Sequence, residues 1–380
     1  MSASKYMKML SKMDSVVTEQ KNVYANTIKF GSPYLNHLFG KQEGGLPRGY
    51  SVVFYGPPKG GKSLASHLAI GWIHKNNPND IVIKIDTEFR ADGQLDPQSC
   101  ALFGIDPNRL IVMQTNDPKA IFDQIEKDVD AACEAGAPIA AIVIDSLNGI
   151  QGRREKNLES IENLTIGDHA LTIQTGLKRI KPVCFRRGIA LIAIDQVRSE
   201  MDQHEIKRGN KLKMQAAWGA QHSIEYFIFV EENKTAAGRQ DLLKRDFKNP
   251  NLKDVKEVGQ TTAIKVRCRM VRSTMSGSTN GRQGEFTFDF HKGLINTHEE
   301  IFLLGTRRGV ISKDGNTYSF DGKSWVGQPK TLAALAADPE LCLKIEAEVA
   351  RRDNAGEYDD AVGDSTESEE GFAEEEISED

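Results

Sequence analysis

Gly56-Pro57-Pro58-Lys59-Gly60-Gly61-Lys62-Ser63 follows the spacing G-x-x-x-x-G-K-S. Glycines so placed let backbone amides close around phosphate oxygens, and a helix that opens at once adds the positive end of its dipole. In such a loop Lys62 reaches the β- and γ-phosphates, the Ser63 hydroxyl ligates Mg²⁺, and Leu64 carries the binding segment into the helix. A chance glycine-rich turn is the competing reading. The context argues against it, because Ser51–Tyr55 reads as a buried strand and Lys62–Lys75 as a helix.

Two further carboxylates lie at predicted strand ends. Ile139–Asp145 is an apolar strand closing on Asp145, suited to holding Mg²⁺ through a water. Ile81–Asp86 is another, followed by Thr87 and Glu88. Ligands of open α/β sheets sit beyond the carboxyl ends of the strands, so Glu88 would face the γ-phosphate and polarise an attacking water. An ordinary solvated loop glutamate would look the same in the sequence.

The elements that position these residues alternate. A short basic helix is expected over residues 1–20, a helix over Pro118–Ala135, helical structure over Thr172–Cys184, a strand at Ile189–Asp195, and further strands at Ile224–Val230, Thr262–Met270 and Glu285–Phe290. Strands interleaved with helices predict an α/β fold whose sheet is parallel at its centre. From about residue 298 the pattern breaks into short pieces. Asp338-Pro339-Glu340 then opens a helix, with Asp338 as N-cap, Pro339 at the first helical position, and Leu341, Ile345 and Val349 on one face. Two long polar stretches interrupt the alternation, at 148–168 and 197–215, and loops of that length inside a domain are usually functional.

Charge is unevenly distributed. Residues 357–380 carry twelve carboxylates and no Lys or Arg, and removing those charges from the formal total of −5 leaves +7 for residues 1–356. A basic body with an acidic, disordered appendage points to a polyanionic partner and a tail that competes with it; a merely solubilising tail is the alternative. The longest apolar runs are far short of the roughly 20 residues of a membrane span, and residues 1–25 lack the apolar core of an export signal. Five scattered cysteines with no CxxC spacing imply neither a disulfide framework nor a zinc site, as expected of a reducing cytosol.

Phe30-Gly31-Ser32, Gly44-Gly45-Leu46-Pro47-Arg48-Gly49 and Gly56–Ser63 together resemble the opening of the RecA recombinase core. The segments 85–88, Asp106-Pro107, 143–146, Ile166-Gly167-Asp168 and Asp195-Gln196-Val197-Arg198 are similar to later motifs of that family. Gly322–Gly327 and the helix after Asp338 resemble the C-terminal module of its bacterial members, while the short segment between Gly167 and Asp195 is nearer the bacteriophage UvsX type. The resemblance runs from about 27 to 352. It implies a RecA-type P-loop NTPase core with a central, mostly parallel twisted sheet. Residues 1–30 would be a polymerisation arm, 31–297 the ATPase core, 298–356 a small α+β module and 357–380 an acidic tail.

The resemblance also assigns roles. Lys62 and Ser63 would bind the phosphates of ATP and Mg²⁺, Asp145 would support the metal, Glu88 would be the catalytic carboxylate, and Gln196 would sense the γ-phosphate. Arg267 and Arg269 resemble the two cations that family members offer to a neighbouring subunit's phosphates, with Arg272 competing because the register needs a one-residue gap. The two polar stretches fall where the family carries DNA-binding loops: Arg153, Arg154 and Lys156 in the first, Arg198, Lys207, Arg208, Lys211 and Lys213 in the second, with Met201 as an apolar wedge between bases. Asp92 and Asp96 are both candidates for the adenine contact.

The implied activity is ATP-dependent homologous pairing and strand exchange by a helical filament on single-stranded DNA, with double-stranded DNA as second substrate. A single-strand-binding protein and a loading mediator would be partners, in a bacterial or phage-infected cytoplasm. A ring-shaped RecA-fold motor such as a replicative helicase shares the phosphate loop. A recombinase paralogue that does not hydrolyse ATP is the remaining alternative.

Overall fold

The computed structural model describes residues 24–40, 44–89, 96–153, 167–199, 212–214, 223–233, 263–275 and 279–356. The helix expected over 1–20 and the acidic tail lie outside them. Two compact units emerge, the first from the chain up to 29 with 45–58 and 62–228, the second from 30–44, 59–61 and 229 onward.

In the first unit the elements run β1 (Ser51–Gly56), α1 (Lys62–Asn76), β2 (Ile81–Asp86), α2 (Pro97–Phe103), β3 (Leu110–Gln114), α3 (Pro118–Gln124), β4 (Ile139–Asp145), α4 (Asp168–Arg187), β5 (Ala190–Ser199) and β6 (Leu212–Met214). Five strands are parallel in the order β1-β5-β4-β2-β3. The central ones are continuous runs of Val, Ile and Ala because both faces are covered. Ile121, Phe122, Ile125, Ile173, Leu177 and Ile180 from the helices pack with Ile83, Ile85, Ile142 and Ile144 from the strands as one buried cluster. Register brings Gly56 opposite Gln196 and Asp86 opposite Asp145, so the carboxyl ends of β1, β2 and β4 align with the Asp195-Gln196 step of β5.

α2 and β3 stand where no element was expected, the expected helix over Pro118–Ala135 is present with a π turn inside it, and the second polar stretch is partly stranded. β3 is an additional strand, paired in parallel along β2. The helix after Pro118 continues through a π turn at Ile125–Val129 to Glu134. β5 runs four residues past Asp195 and pairs with β6, so the ends of the second polar stretch form a hairpin stem rather than a loop.

Tyr226–Glu232 (β7) carries the chain from the first unit into the second. There β8 (Ala263–Ser273), β9 (Gln283–Asp289) and β10 (Gly293–Ile295) are consecutive antiparallel strands. α5 (Thr297–Arg307), a three-stranded meander over 312–326, α6 (Gln328–Ala337) and α7 (Pro339–Ala355) follow. Asp338 caps α7, accepting the Leu341 N–H at 3.0 Å, and Leu341, Ile345 and Val349 are buried together against Ile301, Leu304 and Ile311. None of the described helices is long and apolar enough to cross a membrane.

Candidate nucleotide and DNA site

The phosphate loop joins a buried strand to a buried helix start. Lys59 and Gly61 adopt left-handed backbone angles of +61° and +95°. At Gly61 a β-carbon would lie 2.7 Å from Val266 Cγ2, so both its conformation and its space require glycine. Lys62 is buried, and its ammonium donates to the carbonyls of Gly56 at 2.9 Å and Pro57 at 2.6 Å. The Ser63 hydroxyl donates to Asp145 Oδ2 at 3.0 Å. A hydroxyl and a carboxylate at the strand–helix junction form a hard oxygen pair suited to Mg²⁺ beside a polyphosphate. Behind the loop, Lys84 of β2 is buried with its ammonium 3.3 Å from His67 Nε2 of α1. Burial first, and the Lys84 charge second, push that imidazole down to about 3, so it stays neutral and accepts the bond.

The second cluster is built on the adjoining strand ends. Glu88 Oε1 accepts the Ser146 hydroxyl at 2.6 Å and the Gln196 side-chain N–H at 3.2 Å. The Glu88 backbone N–H is held by Asp86 Oδ1 at 3.2 Å, and the other oxygen of Asp86 accepts Gln114 Nε2 at 3.1 Å. Thr87 and Ser146 are clasped in both directions: the Thr87 hydroxyl donates to Ser146 O at 2.6 Å and accepts the Ser146 N–H at 2.9 Å. The Asp145–Ser146 peptide is cis. The Gln196 backbone N–H is shared between Asn148 Oδ1 and Asp195 Oδ1, each at 2.8 Å.

Four of the residues named from the sequence thus meet in two linked pairs, Ser63 with Asp145 and Glu88 with Gln196. Sequence reading missed Asp86, Thr87, Gln114, Ser146 and Asn148. The weak signal for them was position, since each sits within a few residues of a β2, β3 or β4 end. Asp96 caps α2 with both carboxylate oxygens, accepting from Gln98 N, Ser99 N and Ser99 Oγ. Asp92 lies outside the described residues.

In the second unit Arg267 and Arg269 share the more exposed face of β8 with Lys265, opposite buried Val266, Cys268 and Met270. Arg267 pairs with Glu285 at 2.9 Å and Glu231 at 3.9 Å, and Arg269 lies 5.8 Å over the Phe229 ring. Arg272 falls on the alternate register. Of the cations expected at DNA, Arg153 is exposed at the root of the first stretch and Arg198 is exposed on β5, where strand pairing sets Lys213 opposite it. Arg154, Lys156, Met201, Lys207, Arg208 and Lys211 lie outside the described residues.

Comparison with known proteins places the chain in a family. The family model of the RecA N-terminal domain matches residues 4–211, more than half of the chain. A curated relative, Protein RecA of Mycoplasma genitalium, is 28% identical over 333 residues, covering 86% of this chain and 85% of the relative. Protein RecA of Mycoplasma pneumoniae is 25% identical over 86% of each chain, and that of Wigglesworthia glossinidia brevipalpis 25% identical over 87% of this chain and 88% of the relative. The chain belongs to the RecA family, a family of DNA-dependent ATPases, and is a RecA-type recombinase.

Proposed function

We propose that this chain hydrolyses ATP at the strand ends described above and uses the bound triphosphate to polymerise as a helical filament on single-stranded DNA. The filament would hold that strand extended for pairing with a homologous duplex. The observation that carries the reading is the Glu88–Gln196 hydrogen bond, which joins the residue that would activate water to the residue just before the second polar stretch.

Gly56–Gly61 would wrap the phosphates, with Lys62 turning its ammonium from the loop carbonyls to the β- and γ-phosphate oxygens. Ser63 and Asp145 would hold Mg²⁺, which when bound neutralises charge on those phosphates. Ser146 orients the Glu88 carboxylate through Oε1, and that carboxylate would take a proton from the attacking water. Gln196 donates to the same oxygen, so movement of Gln196 toward a γ-phosphate would free that lone pair and pull on β5, whose continuation leads to Arg198. Arg267 and Arg269, on an exposed face, would reach the phosphates of the adjacent protomer, which ties turnover to assembly.

Arg153, Arg198, Lys213 and the other cations of the two stretches would neutralise DNA phosphates without reading sequence, leaving recognition to base pairing. Residues 1–30 would dock on the neighbouring core, and the C-terminal module would gate duplex entry under the influence of the acidic tail. A single-strand-binding protein and a loading mediator would serve it in the cytosol.

The test is formation of joint molecules from single-stranded DNA with homologous or heterologous duplex, with and without ATP. Homologous joints that require ATP are expected. Glu88→Gln, which keeps the size of the side chain but cannot take a proton, should lower ATP turnover by about 10² or more while still forming filaments. Equal yields from heterologous duplex, or yields indifferent to ATP, would overturn the reading.

A further inference from the structure

The turn that leads from β4 into the first polar stretch is fixed on several sides. Ser146 is clasped to Thr87 at the end of β2, in both directions. Gly149 packs so closely against Thr87 that a β-carbon there would lie 2.3 Å from its hydroxyl and 2.8 Å from its carbonyl oxygen. Gln151 donates its N–H to Asn116 O at 2.9 Å, just beyond β3, and Arg153 donates its N–H to Thr172 Oγ1 of α4 at 3.1 Å. Between these anchors stands Asn148, whose Oδ1 accepts the backbone N–H of Gln196, within β5, at 2.8 Å.

That N–H has a second acceptor at equal distance, the carboxylate of fully buried Asp195. One proton with two acceptors is a local two-position element. If Asn148 withdraws, the Gln196 N–H still rests on Asp195. If Asn148 holds, the Gln196 backbone is drawn toward the root of the first stretch. The Gln196 side chain meanwhile donates to the Glu88 oxygen that Ser146 also holds.

We infer that Asn148 is a positioning residue that couples the first polar stretch to Gln196, and through Gln196 to Glu88. Strand engaged by the first stretch then sets the orientation of the catalytic carboxylate, and the two DNA-binding stretches act as one switch on ATP turnover. The inference rests on the proposed function, in which these stretches hold DNA and Gln196 senses the phosphate.

The experiment measures ATP turnover of the full chain with and without unstructured single-stranded DNA, and strand affinity by a separate titration. In Asn148→Ala the ratio of DNA-stimulated to DNA-free turnover should fall about fivefold, the worth of one neutral hydrogen bond. KM for ATP and affinity for the strand should stay within about twofold, as expected when an orienting contact and not a binding contact is lost. Asn148→Ser, too short to reach, should behave like alanine, and provides a second removal if one variant folds poorly. Asn148→Asp keeps an acceptor oxygen and should recover most of the ratio. Because the residue acts through Gln196, Asn148→Ala added to Gln196→Ala should cause no further loss. An unchanged ratio in both removal variants, or losses that add in the double variant, would overturn the coupling. A wild-type chain whose turnover ignores DNA would instead remove the underlying reading, and the coupling with it.

Discussion

Gly149→Ala tests the strand-end architecture most directly, because its effect can be worked from distances. The new methyl would meet Thr87 Oγ1 at 2.3 Å, Thr87 O at 2.8 Å and Thr87 Cβ at 2.9 Å. Ordinary contact is roughly 3.5 Å, so the turn and the Thr87 segment must part by about 1 Å. Both Thr87 and Ser146 are buried, and their reciprocal hydrogen bonds would stretch or break. Overpacking of this kind together with the weakened clasp costs about 3 kcal/mol of stability. Glu88 follows Thr87 directly, and a displacement of about 1 Å at a reacting group lowers turnover by about 10²-fold. The phosphate loop is built from β1 and α1, so affinity for ATP should change little. The assay is steady-state ATP hydrolysis with saturating single-stranded DNA, beside equilibrium binding of a fluorescent ATP analogue and a thermal melt. Thr87→Ala in the same chain removes the nearest clashing atom and should restore part of the stability. Turnover within about threefold of wild type, with Tm lowered, would refute the claim that this turn positions the carboxylate.

The arginines of β8 make a prediction about assembly. Arg269→Ala or Arg267→Ala should each depress filament turnover by about 10³-fold, and mixing Arg269→Ala protomers with Lys62→Ala protomers should restore part of it at mixed seams. A mixture no more active than its components would show that the arginines do not act in trans. A pH effect comes from Glu300, buried in the second unit with Oε2 accepting the Ser32 hydroxyl at 2.6 Å and the Tyr34 N–H at 3.1 Å. Burial, only partly offset by those bonds, pushes its carboxyl up from 4.5 to about 8. The folded chain therefore keeps a proton that the unfolded chain releases, so this group's contribution is fully present below the unfolded value and is lost as pH rises toward 8 and beyond. Glu300→Gln cannot ionise, so its Tm should gain on wild type between pH 6 and pH 8.5; parallel curves would remove Glu300 as the source.

Much of this architecture was readable because it is local. The phosphate loop needs glycines at fixed offsets between a strand and a helix, and both flanks announce themselves as apolar runs. The cap of α7 is equally local: Asp338, Pro339 and the Leu341, Ile345, Val349 stripe determine where the helix starts and which face it buries. β3 escaped because Leu110–Gln114 is a short apolar run with no clear alternation of burial, lying along one side of β2. The second polar stretch looked like a loop because Val197–Ser199 and Leu212–Met214 are individually unremarkable as strands. They become a stem only by pairing with each other.

What the sequence withheld is the joining of distant residues, and register explains why. Glu88 and Gln196 are 108 positions apart, and Ser63 and Asp145 are 82 apart. No periodicity in either segment encodes which strand will lie beside which. Once β2, β4, β5 and β1 align in parallel, however, every strand end falls on the same side of the sheet, and a residue one or two positions past each end is forced into the same small volume. Ser146, at the end of a family-like segment, and Asn148, outside any motif, acquire their roles in this way: they follow Asp145 by one and three positions in a chain that turns sharply against Thr87. Sheet order thus converts two ordinary polar side chains into the contacts that orient Glu88 and Gln196.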